Sequence, residues 1–204
     1  MTTFTDMHQN AAMIASLNPA VPVIADADTG YGGPINVAHT VKSYARSGVA
    51  GLHIEDQVQE KRCGHLSGKL LVSREVYANR LRAACKARDE SGSGIVVIAR
   101  TDARAGRDAE GNGGFDEAVR RLKAAAEIGV DALFFEALQD SDECREAIKQ
   151  LPKLPVLLNM VGEPIAMTLR DLFRTSADPS LCRYPVAAHP SSRTKRRTNL
   201  ASGS

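Results

Sequence analysis

The sequence predicts an α/β fold of the parallel (β/α)8-barrel type. Three features point there: short apolar runs rich in Val and Ile alternate with longer amphipathic stretches, the joins between them are short, and each run ends on a polar or charged residue. Alternation with short joins makes βα units and a right-handed parallel sheet. An open, doubly wound sheet gathers its ligand contacts at one switch point. A barrel instead delivers functional side chains from the carboxyl ends of many successive strands. Here Asp26 and Asp28 follow the first run, Glu55 and Asp56 the second, Arg100 and Asp102 the third, Glu136 the fourth, and Asn159 ends the fifth. Strand ends that merely meet solvent would account for one or two such residues, not for a series of five.

The runs are residues 21–25 (VPVIA), 50–54 (AGLHI), 95–99 (IVVIA), 132–135 (ALFF) and 156–159 (VLLN). Continuous apolar runs of this length suit strands buried on both faces. The first helix between them spans 36–47, with Val37, Thr40, Val41, Tyr44 and Ala45 on one stripe and Gly48 as its stop. The second spans 73–89. It opens on Ser73 as N-cap with Glu75 close behind, and repeats Val76, Tyr77, Leu81, Ala84 and Cys85 at helical spacing. The third spans 116–128, carries Ala118, Val119, Leu122, Ala125 and Ala126, and stops at Gly129. The fourth spans 141–151. Residues 1–175 thus read as one catalytic domain, and residues 176–204 as a basic, disordered tail rich in Ser, Pro and Arg.

Composition narrows the function classes. With 43% apolar and 25% charged residues, the 204-residue chain is ordinary for a globular domain with a core. There are 26 Lys and Arg against 24 Asp and Glu, and from Arg183 onward there are five cations (Arg183, Arg193, Lys195, Arg196, Arg197) and no acid, so residues 1–182 carry a net charge of −3. That balance gives no reason to expect nucleic acid or a membrane surface as partner. No apolar run approaches the roughly 18 residues of a spanning helix, and the polar start MTTFTDMHQN is not a signal peptide. Cys63, Cys85, Cys144 and Cys182 are scattered, which favours reduced thiols in an intracellular compartment, cytoplasmic or mitochondrial.

Asp26 and Asp28 stand two positions apart, so on a strand they point the same way. Adjacent carboxylates repel unless a cation or proton lies between them. Joined by Glu55, they form an oxygen-rich pocket that suits Mg²⁺ or Mn²⁺ better than zinc. Arg100 is a candidate for two parallel hydrogen bonds to a substrate carboxylate. Gly30-Tyr-Gly-Gly33 lacks the third glycine of a phosphate-binding loop and reads as a tight turn against the site. The cluster Lys61-Arg-Cys-Gly-His65 surrounds Cys63 with positive charge, which lowers a thiol's pKa and suits it to acid–base or nucleophilic work.

Six segments in order resemble the isocitrate lyase / phosphoenolpyruvate mutase superfamily: Asp26-Ala-Asp-Thr-Gly-Tyr-Gly32, His53-Ile-Glu-Asp56, Lys61-Arg-Cys-Gly-His65, Ile98-Ala-Arg-Thr-Asp102, Phe135-Glu-Ala137 and Leu158-Asn-Met160. The cysteine loop is similar to that of the methylisocitrate lyase-like and oxaloacetate hydrolase-like branch. The resemblance implies a Mg²⁺-dependent barrel enzyme that cleaves a C–C bond of a small 2-hydroxy or 2-oxo di- or tricarboxylic acid through a metal-stabilised enolate. It implies Asp26, Asp28 and Glu55 at the metal, Asp26 also near substrate, and Cys63 as general acid tuned by Lys61 and His65. It implies substrate contacts from Gly64, His65, Arg100, Glu136 and Asn159, and a tetrameric assembly for full-length relatives. Measured against that family pattern, the chain starts at the helix before the third strand, carries about five of eight βα units, and departs from the pattern after Asn159. Two alternatives stay open: a catalytically inactive truncated member serving as a binding or assembly partner, and a phosphoenolpyruvate mutase-type phosphonate enzyme.

Overall fold

A computed structural model of the protein describes residues 2–61 and 68–158. Its elements follow one another as α1 (Phe4–Leu17), β1 (Ile24–Asp26), α2 (Pro34–Arg46), β2 (Gly51–Glu55), α3 (Arg74–Ser91), β3 (Val96–Thr101), α4 (Phe115–Ile128), β4 (Ala132–Phe135), α5 (Ser141–Gln150) and β5 (Val156–Leu158). All neighbouring strands pair in parallel, and the sheet order is β1-β2-β3-β4-β5. That order has no reversal and therefore no switch point, so it is the order of barrel staves and not of a doubly wound sheet.

The helices begin and end where local chemistry dictates. Thr3 and Asp6 form a capping box at the start of α1. α2 starts two residues earlier than the apolar stripe suggests, because Pro34 fits the first helical turn, where its missing N–H costs nothing. Ser73 accepts from the Val76 N–H at the head of α3, and Gly92 ends that helix in the left-handed region. Gly129 does the same for α4, and Asp140 caps α5. The first strand is shorter than its run: only Ile24–Asp26 pairs, and Val21 is exposed.

The two faces of the sheet differ. Leu52, Ile54, Val97, Ala99, Leu133 and Phe135 join the main core with Val37, Val41, Leu81, Ala84, Leu122 and Ala125 of the helices. Ile98 and Phe134 are buried but stand apart from that core, and alternation turns them, with His53, Glu55 and Arg100, to the opposite face. The register sets Glu55 level with Arg100 and Arg100 level with Phe134. This inner face leads upward to the strand ends.

Candidate active site at the strand ends

Asp26 closes β1, and Glu55 closes β2. Backbone bonds hold these ends: the Tyr44 hydroxyl donates to the Asp26 carbonyl at 3.0 Å, and Arg80 Nη1 donates to the carbonyls of Glu55 and Gln57 at 3.1 and 2.7 Å. The Tyr77 hydroxyl donates to the Arg100 carbonyl at 2.5 Å. The tips of three strands are thereby fixed by buried side chains from α2 and α3.

Strand alternation does not carry Asp28. The strand stops at Asp26, and Asp28 lies in a left-handed turn with φ of 50°. Its N–H donates to Asp26 Oδ1 at 2.7 Å, a short side-chain turn of the kind Asp favours. Tyr31, Gly30 and Gly32 also have positive φ, so the Gly-rich segment is a tight turn. A Cβ on Gly30 would collide with Val37 Cγ2.

Three carboxylates converge on a single cation, the ammonium of Lys61. Its Nζ lies 3.8 Å from Asp26 Oδ2 and 3.6 Å from Glu55 Oε1, and it pairs with Asp28 Oδ1. Burial draws the Lys61 pKa down, but the Asp28, Glu55 and Asp26 carboxylates outweigh it and the net shift is upward. Glu55 is wholly buried, and burial pushes its pKa up to about 7, against the opposing pull of Arg100 and Lys61. Gln57 Nε2 donates to Glu55 Oε1 at 3.2 Å, while Glu55 Oε2 has no hydrogen-bond donor among the described residues. Among the described residues no three His, Cys, Asp or Glu side chains stand ready-made around a metal ion. The carboxylates surround a cation at ion-pair distances instead.

Arg100 occupies the other side. Its Nε lies 3.3 Å from Glu55 Oε2, and its Nη2 lies 3.8 Å from Glu136 Oε2. It also donates from Nε and Nη2 to the two oxygens of Asp102, at 2.9 and 3.2 Å. The guanidinium lies over the Phe134 ring at 4.9 Å. Burial works against its charge, but Asp102, Glu55 and Glu136 hold its pKa above the ordinary value.

The structure therefore brings together Asp26, Asp28, Glu55, Lys61, Arg100 and Glu136. Cys63, Gly64, His65 and Asn159 lie outside the described residues, as do Cys182 and the segment 176–204. Sequence reasoning missed His53, whose Nδ1 stands 3.5 Å from Asp26 Oδ1 and whose ring meets Phe134 edge-on. Its burial lowers its pKa. Position was the available signal, since His53 precedes Glu55 by two on one strand. Lys69 and Phe134 gave no sequence signal beyond a loop charge and an apolar run.

The family described as phosphoenolpyruvate phosphomutase matches residues 1–178. The chain is 38% identical over 188 residues to 2-methylisocitrate lyase of Shewanella oneidensis, covering 91% of this chain and 60% of that relative. A crystal structure of 2,3-dimethylmalate lyase, a PEP mutase/isocitrate lyase superfamily member, superposes with a TM-score of 0.78 at 47% identity, covering 89% of this chain and 57% of that one. Oxaloacetate acetylhydrolase, solved with 3,3-difluorooxalacetate, gives 0.78 at 44%, covering 86% and 58%. Phosphonopyruvate hydrolase, solved with oxalate and Mg²⁺, gives 0.70 at 30%, covering 86% and 58%. The chain thus spans about 60% of the length of these similar proteins.

Proposed function

The chain belongs to the phosphoenolpyruvate mutase/isocitrate lyase superfamily, and from that premise we propose that it is a Mg²⁺-dependent enzyme cleaving a C–C bond of a small 2-hydroxy or 2-oxo di- or tricarboxylic acid. Candidate substrates are methylisocitrate, isocitrate and dimethylmalate, with hydrolysis of oxaloacetate as the related reaction. The observation that carries this reading is the convergence of Asp26, Asp28 and Glu55 on one positive charge at the strand ends, with Arg100 facing it.

The donor set fits the metal. It consists of carboxylate oxygens alone, it already encloses a cation, and among the described residues Glu55 Oε2 lacks a hydrogen-bond partner. Mg²⁺ is held through one or two carboxylates and keeps several waters, so a wide carboxylate ring suits it. Asp26, Asp28 and Glu55 would hold it there, and when bound it supplies positive charge to substrate oxygens as electron density builds on them.

The chain's own groups divide the remaining work. Arg100, braced by Asp102 through Nε and Nη2 and stacked on Phe134, would meet a substrate carboxylate with the guanidinium edge that Asp102 does not occupy. Glu136 borders the same space from β4. Lys61 adds positive charge beside the acids. In this reading Cys63 donates a proton to the departing enolate carbon, His65 and Lys61 tune its thiol, and Gly64 and Asn159 contact substrate.

The test is release of glyoxylate, pyruvate or oxalate from a panel of such acids by the purified chain. Product formation that needs Mg²⁺ and falls by about 10²-fold or more in Cys63→Ser supports the assignment. Turnover indifferent to chelator, or unchanged in Cys63→Ser, refutes it.

A further inference from the structure

Lys69 is wholly withdrawn from water, with its side chain 1% exposed. An ammonium is tolerated in such a place only against a charged partner. The partner is Asp102, whose Oδ1 accepts from Lys69 Nζ at 2.7 Å. Asp102 follows Arg100 by two residues at the end of β3 and takes both hydrogen bonds of the Arg100 fork. One carboxylate therefore serves two cations.

The charge balance gives Lys69 a consequence at the site. Arg100 also meets Glu55 and Glu136 at the mouth of the strands, at 3.3 and 3.8 Å, so three carboxylates face one guanidinium and Lys69 offsets one of them. Without Lys69 the Asp102 charge would fall on Arg100 alone and hold the guanidinium more tightly to that carboxylate. We propose that Lys69 is a positioning residue: by neutralising Asp102 it keeps the Arg100 guanidinium available to a substrate carboxylate. This rests on the reading of Arg100 as the carboxylate-binding group. Lys69 also has a backbone role, since its carbonyl accepts from the Arg107 N–H at 3.2 Å, so the test must separate charge from scaffolding.

The experiment titrates oxalate calorimetrically into the Mg²⁺-loaded full chain, and titrates Mg²⁺ alone into the same proteins. The proteins are wild type, Lys69→Met, Lys69→Arg, Asp102→Asn and the double variant Lys69→Met/Asp102→Asn. Lys69→Met is expected to weaken oxalate by about ten-fold or more, the scale of one charge-assisted hydrogen bond, while Mg²⁺ affinity stays within about two-fold because Lys69 touches none of the three acids at the cation site. Lys69→Arg restores most of the loss. The double variant binds oxalate as well as Asp102→Asn alone does, since without the Asp102 charge there is nothing for Lys69 to offset. If Lys69→Met does not fold, the comparison of the double variant with Asp102→Asn, which share the loss of the Arg100 brace, decides. Oxalate affinity unchanged in Lys69→Met, or clearly weaker in a folded double variant than in Asp102→Asn, overturns the role of Lys69 and leaves the metal site standing. A wild-type chain that binds Mg²⁺ but not oxalate overturns the reading of Arg100 and this inference with it. A chain that binds neither overturns the proposed function as well.

Discussion

Replacing Arg121 by Met should cost about 3–5 kcal/mol of stability, the range for breaking a buried ion pair from one side. Arg121 lies on α4 and its side chain has no exposed surface. Its Nε donates to Glu117 Oε1 at 2.8 Å, Nη1 to the Val72 carbonyl at 2.8 Å and to Asp56 Oδ2 at 3.3 Å, and Nη2 to Asp108 Oδ2 at 3.2 Å. The losses are unequal. Glu117 keeps Arg74, at 2.8 and 2.5 Å, and Asp108 keeps Asn112. Asp56, fully buried, keeps only neutral donors among the described residues: the Thr101 hydroxyl at 2.6 Å and the Asp102 N–H at 2.8 Å. Burial already pushes the Asp56 pKa up, and without Arg121 the stranded charge is the chief cost. Urea unfolding followed by circular dichroism at neutral pH measures it. The double variant Arg121→Met/Asp56→Asn removes that charge and should recover at least about half the loss. A single-variant cost below about 1 kcal/mol, or a double variant no better than Arg121→Met, would refute this account of how the ends of β2 and β3 are tied.

Three further outcomes are expected. Gly30→Ala should destabilise by about 2–4 kcal/mol, because φ is 90° and the new Cβ would overlap Val37 Cγ2; an unchanged urea midpoint would count against the turn. Arg100 and Lys69, outweighing burial, hold the Asp102 carboxyl below its ordinary value. A lowered folded-state pKa contributes stability that is full above the unfolded value, near 4, and is lost as the pH falls through the folded one. The stability gap between wild type and Asp102→Asn should therefore narrow below about pH 4, and a gap independent of pH between 3 and 7 would show that Asp102 is not paired as described. Arg100→Gln should raise KM for a dicarboxylate substrate by at least about ten-fold, and steady-state kinetics in which KM is unmoved would exclude Arg100 as the carboxylate clamp.

How much of this was legible beforehand follows from where each residue sits in its strand. Glu55, Arg100 and Glu136 could be read because an apolar run that stops on a charge fixes both an element boundary and a direction, and the consecutive sheet order confirms the inference drawn from those stops. Asp28 joins Asp26 and Glu55 by a route other than strand alternation. Period-two alternation predicts a shared face, but the strand ends at Asp26 and a left-handed turn delivers the second carboxylate. Both routes reach Lys61, so the grouping survives although the path differs. Lys69 and Arg121 mark the limit. In sequence each is an ordinary charge of the kind that usually faces water, and the pairings of the strand-end residues Asp56 and Asp102 are equally hidden: only the parallel register, which sets Glu55 beside Arg100, lets Asp56 reach the Asp102 N–H and lets Lys69 reach Asp102 across the strand ends. Buried charge networks are properties of pairs that meet in space, and a single sequence displays only the members. Arg100 shows what this means for function: its candidacy was readable from one position, but the charge it can offer a ligand depends on Asp102 and Lys69, neither of which can be weighed until the fold has brought them to it.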